Sequence, residues 1–240
     1  MIILQVTSNH NDKIVELLKL DRKKVRDETG TFVVEGPHLV AEAVAAGRCL
    51  RIFAVADPGY LGIETVLVTE TVMKRISQTF TPQGILAVVS RFAPGIPGRR
   101  VLLLDGIQDP GNMGTLLRSA LAFGFTTVVA EACVDYYNSK TLRATQGAVF
   151  RLSLIEAGLS GFLAENADYV VYGTDPHGGI PLDALAPAGD RIALMLGNEG
   201  AGIRPELLAR TTANVRIESA DVESLNVAIA GAIIMHRLRA

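Results

Sequence analysis

Residues 12–26 place apolar Ile14, Leu17, Leu18 and Val25 at helical spacing with charged residues between them, a pattern that predicts an amphipathic first helix. TFVVEG (31–36) predicts a short strand. Pro37 then opens a helix to Ala46 that Gly47 closes, following the preference for proline at the first helical position and glycine just past the last. Apolar runs at 51–56, 66–69 and 85–90, with a helix near 70–77, complete a small alternating α/β unit over 1–90. RFAPGIPGRR (91–100) has almost nothing to bury and carries two prolines and two glycines, so it predicts a linker. Beyond it, VLLLD (101–105), TTVVA (126–130), YVVYG (169–173), RIALMLG (191–197) and ANVRI (213–217) are apolar on both faces, with helical stretches between most of them. This predicts an α/β domain over 101–240 with a mostly parallel sheet, helices covering it, and ligand sites at the carboxyl ends of the strands.

The last helix, expected over 224–238, is apolar almost all round, with Leu225, Val227, Ile229, Ile233, Ile234, Met235 and Leu238 distributed over every face. Such a helix has to be covered. A subunit interface is one cover and burial within the monomer the other, and Gly231 between Ala230 and Ala232 allows a neighbouring backbone to approach closely.

Composition narrows the function classes. No apolar run reaches the ~20 residues that span a bilayer, and MIILQVTSNHNDK lacks the basic and apolar regions of a signal peptide, so the expected location is cytoplasmic. Cys49 and Cys133 have no CxxC partner; they are expected to be buried small side chains, and no metal site is expected. The net charge is −2, yet the balance is uneven: 101–240 holds ten basic against fifteen acidic residues, whereas the first 26 residues hold six basic against three acidic. Lys13, Arg22, Lys23, Lys24 and Arg26, with Arg143 farther along, are therefore candidates for an RNA-facing surface, an ordinary solvated helix face being the plainer reading.

Three blocks carry candidate chemistry. DGIQDPGNMGTLLRSALAFGF (105–125) ends a strand in a polar turn and opens a helix, bringing Asn112 and Arg118 towards one strand terminus. Alone it reads equally as a glycine-rich turn with a capping asparagine. LMLGNEGAGIRPELL (194–208) has glycines in the order G-x-x-G-x-G, not the G-x-G-x-x-G of dinucleotide folds, which disfavours a nicotinamide-linked enzyme. Its glycines allow main-chain contact with a ligand, beside the carboxylate of Glu199. RIESADVESLNVAIAGAIIMHRL (216–238) leads through an acidic turn to Ser224, Leu225 and Asn226, where a serine is also an ordinary helix cap.

In order and separation, DPGNMGTLLRSALAFGF, LGNEGAGI and SLNVAIAGAI resemble the three motifs of the SpoU (TrmH) family of SPOUT RNA methyltransferases, and NSKTLRATQGAVFRL (138–152) is similar to the bridge between them. FVVEGPHLVAEA (32–43) resembles the ribosomal-protein-type RNA-binding domain that ribosomal-RNA members carry. The resemblance implies a C-terminal trefoil knot, which chain-threading rules do not anticipate. It implies S-adenosylmethionine as cofactor, held by Thr174, Leu196, Gly197, Asn198, Ile217, Ser224, Leu225 and Asn226, and methyl transfer to a ribose 2′-hydroxyl of RNA, ribosomal RNA before transfer RNA. Arg118 is the residue it implies at that hydroxyl, with Asn112, Glu199, Ser224 and Asn226 positioning the ribose, the phosphate or Arg118. A guanidinium gives up its proton too reluctantly to serve as a good base, so Arg118 is expected to orient the nucleotide and stabilise alkoxide charge. A homodimer through the catalytic domain is also implied. A non-catalytic RNA-binding protein retaining the fold is the rival reading, opposed by the intact set Asn112, Arg118, Glu199, Ser224 and Asn226. The chain departs from the pattern at Ala228, where serine is common, and at Tyr136-Tyr137, whose rings would be free to stack on bases if they faced RNA.

Overall fold

The computed structural model describes residues 3–186, 189–221 and 224–239; Val222 and Glu223, from the acidic turn of the third block, lie outside the described residues. In chain order the first elements are β1 (Ile3–Val6), α1 (Asp12–Lys19), α2 (Lys23–Thr29), β2 (Thr31–Glu35), α3 (Pro37–Ala45), β3 (Cys49–Ala54), β4 (Glu64–Val68), α4 (Glu70–Ile76) and β5 (Ile85–Ser90). They are followed by β6 (Arg100–Asp105), α5 (Pro110–Ala122), β7 (Thr127–Glu131), α6 (Ser139–Thr145), β8 (Ser153–Glu156) and α7 (Leu159–Glu165). The last are β9 (Val170–Thr174), β10 (Ile180–Pro181), β11 (Ile192–Leu196), α8 (Pro205–Leu208), β12 (Ala213–Arg216) and α9 (Val227–Arg237). Two compact units form, one from 1–92 with 137–150 and the other from 93–136 with 151–240.

The first unit is a five-stranded sheet in the order β1-β4-β3-β5-β2, parallel at β1-β4-β3 and antiparallel at β3-β5-β2. Ile14 and Leu17 of α1 and Val72, Met73 and Ile76 of α4 bury against Phe53, Val66 and Leu86 of the strands. The helix expected over 12–26 is in fact two. The chain breaks at Leu20–Arg22, and Arg26 turns inward, 7% exposed, to donate from Nη1 to the carbonyls of Leu20 (2.6 Å) and Asp21 (2.8 Å). Carbonyls that lose helical partners at a break need other donors, and a buried guanidinium supplies them. β1, only four residues long, gave no periodic signal.

The segment 137–150 belongs to this unit because its aromatics complete the core beside β2. Phe32 lies 4.7 Å from the Tyr137 ring and 6.2 Å from Phe150, and the Arg91 guanidinium sits 4.1 Å over the Tyr137 ring. Tyr136 is 2% exposed and its hydroxyl donates to the Ile155 carbonyl at 3.2 Å within the other unit. Neither tyrosine of the pair offers a free face for base stacking, which corrects the expectation drawn from sequence.

The second unit is a seven-stranded sheet, β10-β12-β9-β11-β6-β7-β8, parallel throughout. The chain builds outward from β6 to β8, then crosses to the other side with β9, and β11 later fills the gap between β9 and β6. Open parallel sheets bind ligands at the carboxyl ends of strands around such a reversal. α9 begins at Val227, not at 224, and packs its Ala228, Gly231, Ile234 and Met235 face inward against α5 and β11. A Cβ on Gly231 would stand 2.6 Å from both Leu116 Cδ2 and Leu196 Cδ1, so the close approach this glycine permits is to side chains of its own chain. Ile229 and Ile233, 54% and 40% exposed, form the remaining apolar stripe, so burial within the monomer does not cover this helix. Cys49 and Cys133 are half-buried free thiols, both pushed up to about 11, first of all by burial.

Candidate active site

At the carboxyl ends of β9, β11 and β12, the turns that follow them and the start of α9 enclose an open cleft of about 510 Å³. Thr174, Leu196, Gly197, Asn198, Ile217, Ser224, Leu225 and Asn226 all line it, as does Glu199. Strand geometry explains the grouping, since each parallel strand delivers its following turn to the same edge. Asp175, Pro176, His177 and Arg216 line it too and were not singled out from sequence, although the polar run GTDPHGG directly after an apolar strand was the available signal.

The loop after β11 is folded on itself. Asn198 and Gly202 exchange main-chain hydrogen bonds at 3.0 Å, and a Cβ on Gly197 would collide with the backbone of Gly202 and Ile203. Only glycine fits there. Asn198 holds the loop from within, accepting at Oδ1 from the N–H groups of Gly200 and Ala201 (3.0 Å each), and ties it outward by donating from Nδ2 to the Gly106 carbonyl at 2.8 Å. Farther along, Arg204 donates from its main-chain nitrogen and Nε to the two oxygens of Asp105, both at 2.8 Å, and its Nη2 forms an ion pair with Glu131 at 2.7 Å. Asp105 is 3% exposed. This clip fixes the far end of the loop to β6 and β7, and sequence reading missed it because nothing in spacing links residues 99 apart.

A hydrogen-bond chain joins the three sequence blocks. Glu199 accepts from Asn112 Nδ2 (3.0 Å) and from the main-chain N–H of Asp109 (3.2 Å) and Gln108 (3.3 Å). Asn112 Oδ1 accepts from Asn226 Nδ2 at 2.9 Å, and Asn226 Oδ1 accepts from the N–H groups of Ala228 (2.9 Å) and Ile229 (3.3 Å). Asn226 is thus the N-cap of α9. Ser224 lies outside the helix and exposed, so the cap reading from sequence passes to Asn226. Burial raises the Glu199 pKa, but the Asn112 amide and the main-chain donors outweigh it and hold the carboxyl below its ordinary value. It is a fixed anion that anchors, not a group poised to take a proton.

Arg118 stands apart from this chain of contacts. It is exposed on α5, is not part of the cleft lining, and has no hydrogen bond or ion pair among the described residues. Six residues after Asn112, at ~3.6 residues per turn, it leaves the helix about 120° away from that side chain. Of the expected RNA-facing residues, Lys13, Lys23 and Lys24 pair with Glu64 (2.7 Å), Asp27 (3.1 Å) and Glu28 (3.9 Å). Arg22 is exposed without an ion pair among the described residues, Arg143 is half-buried on α6, and Arg26 is buried as described above. Among the described residues no group of three His, Cys, Asp or Glu side chains is arranged to hold a metal. Among the described residues no helix is long and apolar enough to cross a membrane.

Residues 99–236 match the model of the SpoU rRNA Methylase family. The chain belongs to this family. Residues 11–87 match the MRM3-like substrate binding domain, so this SpoU protein joins both modules in one chain. It is 38% identical to the 23S rRNA (guanosine(2553)-2′-O)-methyltransferase RlmP of Bacillus subtilis, over 98% of this chain and 99% of that protein. Over 54% of its length it is 31% identical to human mitochondrial rRNA methyltransferase 3, matching 36% of that protein. The AdoMet-bound rRNA methyltransferase from Sinorhizobium meliloti superposes with a TM-score of 0.88 at 29% identity, covering 98% of this chain and 97% of that one.

Proposed function

We propose that this SpoU chain transfers a methyl group from S-adenosylmethionine to a ribose 2′-hydroxyl of ribosomal RNA. The observation that carries the reading is the Glu199–Asn112–Asn226 chain of hydrogen bonds at the cleft, which unites the three blocks of the family in one place. The relatives named as ribosomal RNA methyltransferases, and the AdoMet-bound neighbour, support substrate and cofactor.

The cleft suits that cofactor. Its volume lies within the ~300–1,000 Å³ usual for small-molecule sites. Leu196, Ile217 and Leu225 provide apolar wall for an adenine, while Thr174, Asn198, Ser224 and Asn226 provide polar contacts. Bound there, S-adenosylmethionine supplies an electrophilic methyl on a sulfonium. The protein has to align the 2′-oxygen behind that methyl, so that the O–C bond would form as the S–C bond breaks to leave a neutral thioether, with the hydroxyl proton passing to solvent. Asn112 and Asn226, each amide fixed by its partners, position the ribose, and Ser224 completes the rim. Arg118 donates to the nucleotide and stabilises the developing alkoxide; its freedom from intrachain partners fits a group reserved for substrate.

In this reading residues 1–90, their core completed by 137–150, bind the RNA, 91–100 link, and the rest of 101–240 catalyses and carries the trefoil knot. The Ile229 and Ile233 stripe on α9 is the contact of a homodimer, which brings a second copy to the catalytic domain. The cytoplasm, where ribosomal RNA is matured in bacteria, is the location we assign. Incubating the protein with labelled S-adenosylmethionine and either unmodified ribosomal RNA or transfer RNA tests the substrate class. Label in the ribosomal RNA is expected; label confined to transfer RNA overturns the assignment.

A further inference from the structure

Phe80 of the first unit is wholly exposed at the tip of the turn between α4 and β5. A phenyl ring in water carries an unfavourable hydration cost that a loose loop relieves by folding the ring down. Here the loop is tied. Glu35, the last residue of β2, accepts from Thr79 Oγ1 at 2.7 Å, from the main-chain N–H of Gln78 at 2.9 Å and from Ser77 Oγ, while Gln78 Nε2 donates to Asp21. The three residues before Phe80 are therefore anchored, and the ring is presented, not stray.

The surroundings indicate for what. Arg22, beside Asp21, and Lys74 and Arg75, in the turn of α4 that leads into the loop, are exposed and have no ion pair among the described residues, unlike Lys13, Lys23 and Lys24. A polar cavity of about 270 Å³ that includes Asp21, Gln78, Asn138 and Ser139 adjoins the same loop. A presented aromatic ring, unpaired cations and adjacent donors and acceptors together match single-stranded nucleic acid, whose bases stack on rings while phosphates seek cations. We propose that the Ser77–Phe80 loop is a stacking platform for an unpaired base of the substrate RNA, with Arg22, Lys74 and Arg75 on the flanking phosphates. This rests on the RNA methyltransferase reading above and adds to it residues of the first unit that grip the RNA.

The chain contains no tryptophan, so Phe80→Trp places a single indole at the loop tip of the full-length protein. Titration with a 23S ribosomal RNA transcript is expected to quench its emission. Phe80→Ala is expected to raise the Kd for that transcript about tenfold while leaving kcat at saturating RNA within about twofold, and Phe80→Tyr to stay near wild type. Because the ring touches nothing, the thermal midpoint should not move. Unchanged RNA affinity in Phe80→Ala, or unchanged indole emission at saturating RNA, overturns the proposal. A Phe80→Ala protein altered only in sedimentation also overturns it and assigns the ring to a protein contact. A wild-type protein that methylates no ribosomal RNA overturns the underlying reading; a wild type that does so, with Phe80→Ala indistinguishable from it, overturns the loop's role alone.

Discussion

Across 114 residues of sequence, Asn226 Nδ2 donates to Asn112 Oδ1 at 2.9 Å. Asn226 commits its other amide atom to the first N–H groups of α9, and Asn112 commits its own to Glu199, so each amide has one orientation. One residue thereby sets both the start of the last helix and the geometry of the first block.

The two duties of Asn226 can be separated. Asn226→Asp keeps an oxygen to cap α9 but removes the donor to Asn112 and faces its Oδ1 with a carboxylate. Turnover is expected to fall at least tenfold while the thermal midpoint changes little. Asn226→Ala loses both, costing about 1 kcal/mol of stability as well, in the usual range for an N-cap. Calorimetry beside methyl-transfer rates reads the difference; equal stability loss in both variants would contradict the division of roles.

Glu199 predicts a pH dependence. Its pKa is depressed in the folded chain, so its contribution to stability is present above the ordinary glutamate value of ~4.3 and is lost as pH falls through the folded value. Glu199→Gln is therefore expected to be less stable than wild type at pH 7, and the gap to close as the pH drops towards 3. Denaturant midpoints of the two proteins across that window test it, a constant gap being the contrary result.

Much of this was legible in the chain. Buried parallel strands announce themselves as uniformly apolar runs, and the blocks at 105–125, 194–208 and 216–238 contain every residue of the Asn112–Glu199–Asn226 contact. The sequence pattern was silent where structure depends on side chains reaching across it. Arg26 was one basic residue among several until its guanidinium proved to fill a helix break. Tyr136 and Tyr137, neighbours in sequence, pack into different units, the first buried and the second half-buried. Ser224 had the right residue type for a cap, but Asn226 had the right position.

The Asp105–Arg204 clip was likewise invisible in spacing. Arg204→Ala removes a charge-assisted partner from a carboxylate that is 3% exposed, while leaving the main-chain donor. The expected loss is on the order of 2 kcal/mol, with weaker S-adenosylmethionine binding as the loop at 197–204 loosens. Calorimetric titration of the cofactor into Arg204→Ala and Arg204→Lys measures it; cofactor affinity equal to wild type in both would leave the clip without a role in the cleft.

Ile229 and Ile233 give the dimer its test. Ile229→Lys introduces a charge on the exposed stripe of α9 while leaving the inward face intact. Sedimentation of wild type at micromolar concentration is expected to show a dimer and the variant a monomer of unchanged helical content. A monomeric wild type would remove the homodimer from the proposal.

The most direct measurement incubates wild type and Arg118→Ala with labelled S-adenosylmethionine and unmodified ribosomal RNA, digests the RNA to nucleosides, and identifies the methylated species by mass spectrometry. Wild type is expected to yield a 2′-O-methylnucleoside, and Arg118→Ala to lose more than about a hundredfold in rate, the scale of one lost transition-state donor, with cofactor affinity retained. A base-methylated product, or an Arg118→Ala protein as fast as wild type, would contradict the proposed reaction or the role of its arginine, respectively.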